Sequence, residues 1–185
     1  MAIKAPEQTR EKLLDAALSL ILERGSDFTL EAVAASASIS KGGLLHHFAS
    51  KQKLVLEVVL RQYARFYELL EQELSKQPAG EPGRWTRAYV EASFQPSETD
   101  MRLSAALSHQ IADYPELHTF LEADCRRLEQ CSLDDGLPPA RATLIRLACD
   151  GLWGYDFAQL SSISPVLREE LRLELLSLSR VEHTP

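Results

Sequence analysis

TLEAVAASASISKGGLLHHFASKQK, residues 29–53, reads as two short helices joined by a tight turn and followed at once by the start of a third. The Thr29 hydroxyl is placed to accept a free backbone N–H of the first turn, and Glu31 lies near the positive end of that helix. Ala32, Val33 and Ala35 give it a small apolar face. Ala37, Ser38 and Ile39 are enough only for a turn, after which Ser40 caps a second helix from Lys41 to about Phe48. Two helices across so short a turn make a helix-turn-helix, whose second helix enters the major groove of double-stranded DNA while the first crosses the backbone. Leu44 and Phe48, four residues apart, form the inward side of that second helix. Lys41, Leu45, His46 and His47 are left facing outward. Gly42 and Gly43 each cost a helix roughly 1 kcal/mol against alanine. They reflect either relaxed composition or a close approach of backbone to base edges, which glycine permits.

Val33-Ala34, the run Ile39-Ser40-Lys41-Gly42-Gly43-Leu44-Leu45-His46-His47-Phe48, and Lys51 with Leu54 closely resemble the DNA-binding domain of TetR-type transcriptional regulators. Upstream, Ala16-Ala17, Leu20-Ile21, Gly25 and Phe28-Thr29 match as well, so the resemblance covers roughly residues 7 to 60. It implies DNA contacts from Thr29, Ser40, Lys41, Gly42, Gly43, Leu45, His46, His47 and Lys51. Family members often touch a phosphate at the positions of Thr9 and Arg10, which read equally well as an ordinary solvated helix start. The chain departs from the family pattern twice. Ser38 stands where glycine is usual, at a modest cost if the turn needs a left-handed backbone. Leu45 replaces a tyrosine whose phenol would bond a phosphate, so affinity is lower or its methyl groups touch a thymine methyl instead.

Upstream of this motif, Leu13, Leu14, Ala17, Leu20 and Ile21 recur at helical spacing from about Pro6 to Arg24, with Gly25 where a helix stop is expected. Downstream, Ser50 caps a long helix from Lys51 to about Lys76, which reads as a rigid lever between two halves of the molecule. Gln77-Pro78-Ala79-Gly80-Glu81-Pro82-Gly83 breaks it. Further helices are expected from about Arg84 to Phe94, from a Ser97/Asp100 capping box to about Tyr114, over 116 to 132, and from beyond Pro139 to about Leu160. A last one starts by the Ser164 cap and first-turn Pro165. No strand pattern is visible. The expectation is an all-α chain of about nine helices, with a DNA-binding domain over 1–53 and a helical regulatory and dimerisation domain over 54–185.

Composition fits this division. The formal charge is −7 over 185 residues, but residues 1–53 sum to +1 and the remainder to −8, with Lys41, Lys51 and Lys53 clustered on and just after the second short helix. No apolar run reaches the length of a membrane span, and MAIKAPEQTR lacks the core of a secretory signal, so a cytoplasmic protein is expected. Cys125, Cys131 and Cys149 are odd in number and lack paired spacing, and neither a metal site nor a cofactor is expected. Nucleophile-elbow, P-loop, zincin and dinucleotide-binding motifs are missing, which argues against an enzyme.

In the second half, Leu167, Leu171, Leu175 and Leu178 form one stripe on the last helix. They suit a buried core, or the pairing of the last two helices with a second copy that the family resemblance implies. Gly151 and Gly154 leave room for a close helix crossing or for a ligand. Asp150 and Asp156 beside aromatic residues could recognise a cationic aromatic compound or sit on a solvated edge. Trp85, Tyr89, Phe94, Met101, His109, Trp153 and Phe157 are core by spacing. They become candidates for lining a small-molecule effector pocket because the resemblance places one among the middle helices.

Overall fold

Short polar side chains start the helices. In the computed structural model, which describes residues 5–25, 27–95, 97–108, 113–158, 160 and 163–181, Thr29 Oγ accepts from Ala32 N at 3.2 Å and Ser40 Oγ from Gly43 N at 3.1 Å. Ser50 and Ser164 do the same for Lys53 N and Leu167 N. Each such cap is worth about 1 kcal/mol to its helix. The helices among the described residues are α1 (Ala5–Arg24), α2 (Leu30–Ser36), α3 (Lys41–His47), α4 (Lys51–Lys76), α5 (Arg84–Ser93), α6 (Glu98–Leu107), α7 (Pro115–Leu133), α8 (Pro139–Phe157) and α9 (Pro165–Leu178). The all-α reading and its nine helices hold. The helix expected to reach Tyr114 ends at Leu107, and Pro115 opens α7 rather than preceding it, as suits a ring that fixes φ and lacks an N–H.

The described residues group into two compact units, one reaching from the N-terminal side to Tyr63 and taking in Arg102–Phe120, the other formed by Ala64–Met101 with the residues from Leu121 on. Residue 53 falls inside the first. Its core holds Leu13, Leu14, Ala17 and Ile21 of α1, Val33 and Ala34 of α2, Leu44 and Phe48, and Leu54, Val55 and Val58 of α4, all buried. The helical spacing of these positions is what makes α1 and α4 present one side to the two short helices.

The second unit is built around α5. Tyr89, Val90 and Ala92 pack with Ile145 and Cys149 of α8 and Leu175 of α9. Burial pushes the Cys149 thiol up to about 12, which leaves it an inert core group. Gly83 precedes α5 and has no side chain to cap it. The Asp135 carboxylate does so from the α7–α8 connection, accepting from Trp85 N at 2.8 Å and Thr86 N at 2.7 Å. Arg87, also buried, donates to Pro82 O, Ser179 O, the Gln77 side chain and Glu81. One guanidinium thereby joins the 77–83 connection to the end of α9.

Ser38 adopts φ 56°. The α2–α3 turn therefore uses the left-handed region that favours glycine. Ser38→Gly is expected to raise stability by about 1 kcal/mol, the cost of that conformation for a residue with a Cβ. Urea unfolding checks this, and a neutral or destabilising result would mean that the Ser38 side chain compensates for the strain.

Candidate nucleic-acid interface

The two short helices are locked by the turn between them. Ala37 N donates to Val33 O at 2.9 Å, Ser38 N to Ala35 O at 3.1 Å and Ile39 N to Ala34 O at 2.8 Å. Leu44 and Phe48 anchor α3 from beneath, at 0% and 2% exposure. The opposite face then presents Lys41, Gly42, Leu45 and His46 to solvent, with Leu45 42% exposed and His47 half-buried. His46 and His47 meet edge to face at 5.5 Å.

The two glycines of α3 differ. A Cβ on Gly43 would lie 3.0 Å from Ile39 Cγ2 and 3.3 Å from the capping Ser40 Oγ. A side chain at Gly43 would therefore crowd the turn, and Ile39 and the capping Ser40 would have to shift by a few tenths of an ångström. A Cβ on Gly42 would meet nothing within 4 Å, so its smallness has no cause inside the chain and suits an approach from outside.

Cations surround this face, each with a local partner. Lys41 pairs with Glu31 of α2, and Lys53 with Glu116 of α7 at 2.6 Å. Lys51 Nζ lies 4.4 Å from the centroid of the Phe28 ring, and burial lowers its pKa against the raising effect of Asp27. Arg10 holds Glu57 at 2.5 Å and lies over the Phe48 ring. That engagement gives Arg10 a place in the packing of α1 on α4 beside any contact with phosphate.

A family profile described as "Bacterial regulatory proteins, tetR family" matches residues 13–58, and one described as "Tetracyclin repressor-like, C-terminal domain" matches residues 83–180. The HTH-type transcriptional regulator BetI of Burkholderia thailandensis is 32% identical over 158 residues, which cover 80% of each chain. The chain belongs to the TetR family. It is a DNA-binding transcriptional regulator of that family, which is not a family of enzymes. Two solved structures share the fold. They are a putative transcriptional regulator from Pseudomonas aeruginosa PAO1, with TM-score 0.75, 19% identity and coverage of 94% of this chain and 91% of that one, and a putative TetR-family regulator from Mesorhizobium loti, with TM-score 0.69, 18% identity and 96% coverage of each.

In the TetR C-terminal segment the aromatic candidates form two pairs. Trp85 stacks on Tyr89 at 5.0 Å and 13°, and Trp153 meets Phe157 at 5.2 Å. Tyr89 is a core residue whose hydroxyl donates to Asp150 at 2.5 Å, and Phe94 packs against the same core under the Arg168 guanidinium. Met101 is half-buried, and His109 lies outside the described residues. Asp150 also takes Arg146 at 2.6 Å, and Asp156 holds Arg168 at 2.5 Å. Both carboxylates are thus already engaged by arginines of their own chain, which offsets the charge that a cationic compound would meet.

On α9 the four leucines of the stripe divide between the core and the outer edge. The inner row of the helix is Arg168, Arg172, Leu175 and Ser179, one position round from the expected row, because Arg168 and Arg172 reach back to Asp156 and Glu91. Leu175 is 7% exposed in the core and Leu178, partly buried, packs against it, as the buried-core alternative expects. Leu167 and Leu171 remain at the outer edge. They continue onto an apolar face of α8, with Leu144 58%, Leu147 55% and Tyr155 59% exposed. An open depression there is lined by Leu147, Ala148, Gly151, Leu152, Tyr155, Leu160, Ile163 and Leu171. The positions 144, 147, 151 and 155 share one helical face, a signal present in the sequence but masked by the richer leucine pattern of α9. Among the described residues no helix is long and apolar enough to cross a membrane.

Proposed function

We propose that this TetR regulator is a cytoplasmic homodimeric repressor that binds a palindromic operator through residues 29–51 and is released by a small apolar or aromatic effector. Residues 1–53 act as the DNA-binding domain and 54–185 as the regulatory and dimerisation domain. The observation that carries the DNA reading is the outward row of Lys41, Leu45 and His46 on a helix whose other side is fully buried. One such helix reads only a few base pairs. Two, set about 34–36 Å apart by a two-fold axis, read an inverted repeat over one helical turn. The exposed face of α8 with Leu167 and Leu171 supports the two-fold, since an apolar surface of this kind on a regulator calls for a partner. Gly151, open in the single chain, leaves room for a second helix to cross.

An effector would act by favouring a conformation that sets the recognition helices at the wrong separation, in proportion to its differential affinity for the two states. The alternative is a regulator without an effector. The closed stack of Trp85 on Tyr89 and the occupied carboxylates of Asp150 and Asp156 favour it. Footprinting on DNA adjoining the protein's own gene, with and without apolar and aromatic compounds, separates the two. Protection that such a compound removes supports the first reading, and protection indifferent to every compound supports the second.

Lys51, at the start of α4, is assigned to a phosphate. Lys51→Ala is expected to weaken operator and random DNA alike and to lower the salt slope by about one unit per subunit. An unchanged slope would leave Lys51 as packing for Phe28.

A further inference from the structure

We propose that Glu31 and Glu116 stand in for DNA phosphate in the unbound protein, holding Lys41 and Lys53 and thereby setting how weakly the regulator binds duplexes that lack its site. The inference rests on the DNA-binding reading of α3 and the start of α4. It arises from a coincidence of placement. Lys41 is the first residue of α3 and Lys53 lies in the first turn of α4, yet each ammonium contacts a carboxylate from another helix, Glu31 of α2 and Glu116 of α7. All four side chains are more than half exposed, so neither pair is needed to neutralise a buried charge. The Glu31 carboxyl is held below its ordinary pKa chiefly by its hydrogen bond with Lys41.

The consequence is one of ion counting. A lysine without an anionic partner that neutralises a phosphate releases a condensed cation and contributes about 0.9 to the slope of log K against log salt. A lysine that must first leave a carboxylate leaves that anion beside the duplex, so the pair brings no net positive charge and displaces no net cation. The two cancel. Lys41 and Lys53 therefore add little to binding on random DNA, where a phosphate merely replaces a carboxylate. On the operator, a base-edge contact by Lys41 comes in addition. Glu31 and Glu116 thus lower the affinity for duplexes without the site and flatten its salt dependence, while the base-edge contact of Lys41 sets the difference between operator and random DNA.

The test uses the full chain on random-sequence duplex and on its footprinted site, across a salt series. E31Q and E116Q keep shape and remove charge. Each is expected to bind random DNA several-fold more tightly at low salt and to steepen the salt slope by about one unit per lysine released per subunit. K41A in the E31Q background should return the slope to that of the original protein. K41A alone should leave the random-DNA slope nearly unchanged while lowering operator affinity, in contrast to K51A. Unchanged slopes in E31Q and E116Q, with wild-type binding intact, overturn the proposal, as does a K41A slope reduced by a full unit. Failure of the unaltered protein to bind any duplex overturns the DNA reading itself and this inference with it.

Discussion

Glutamate at both Leu144 and Leu147 is expected to yield folded monomers that bind the operator about a hundredfold to ten-thousandfold more weakly, since joining two half-site readers raises affinity by 10² to 10⁴ without any new contact. Both leucines are more than half exposed in the single chain, so the charges cost the fold little. At a dimer seam they would lie in an apolar contact without partners, where an unpaired charge is expensive. Sedimentation velocity and operator titration check the two halves of the expectation. The double variant is a better probe than glutamate at Leu175, which sits in the core of its own subunit and would unfold the chain whether or not it dimerises. A dimer that persists with both glutamates in place moves the interface away from α8.

Gly83→Ala is expected to destabilise the protein by about 4 kcal/mol or more, at the upper end for single substitutions. Gly83 has φ 77°, and a Cβ there would lie 2.0 Å from the backbone oxygen of Ser179. That oxygen also accepts from Arg87 Nη1, so it cannot retreat without breaking the clasp between the 77–83 connection and α9. Gly80 supplies the control. It has φ 80° and open space at its Cβ, so Gly80→Ala should cost only the left-handed strain, about 1–2 kcal/mol. Denaturant unfolding of both variants separates clash from strain. Equal losses would mean that the end of α9 moves aside readily.

The contrast between these two regions also explains what the sequence could disclose. The helix-turn-helix was legible because its determinants are local. Thr29 and Ser40 cap helices that begin one residue later, Leu44 and Phe48 are one turn apart, and Gly25 ends α1 with φ 63°. The strained Ser38 was legible for the same reason. Residues whose roles depend on distant partners were not. Asp135 caps a helix some fifty residues before it, and Arg87 reaches the end of α9. Neither bond leaves a trace in spacing. The inner row of α9 was not legible beyond Leu175, because Arg168 and Arg172, which look solvent-bound by type, turn inward to Asp156 and Glu91. Long side chains with carboxylate partners can occupy an inner row that apolar periodicity would assign to leucine.

A hydroxyl-radical footprint of the protein on DNA flanking its own gene, compared with that of Lys41→Ala, tests most directly that α3 reads sequence as one half of a two-fold pair. Two protected patches about 34–36 Å apart are expected, carrying inverted copies of one short sequence. Lys41→Ala should lose about 1–3 kcal/mol on that site and relax discrimination at one position in each half. Uniform protection with no preference over random duplex, or a single patch without an inverted copy, would contradict it.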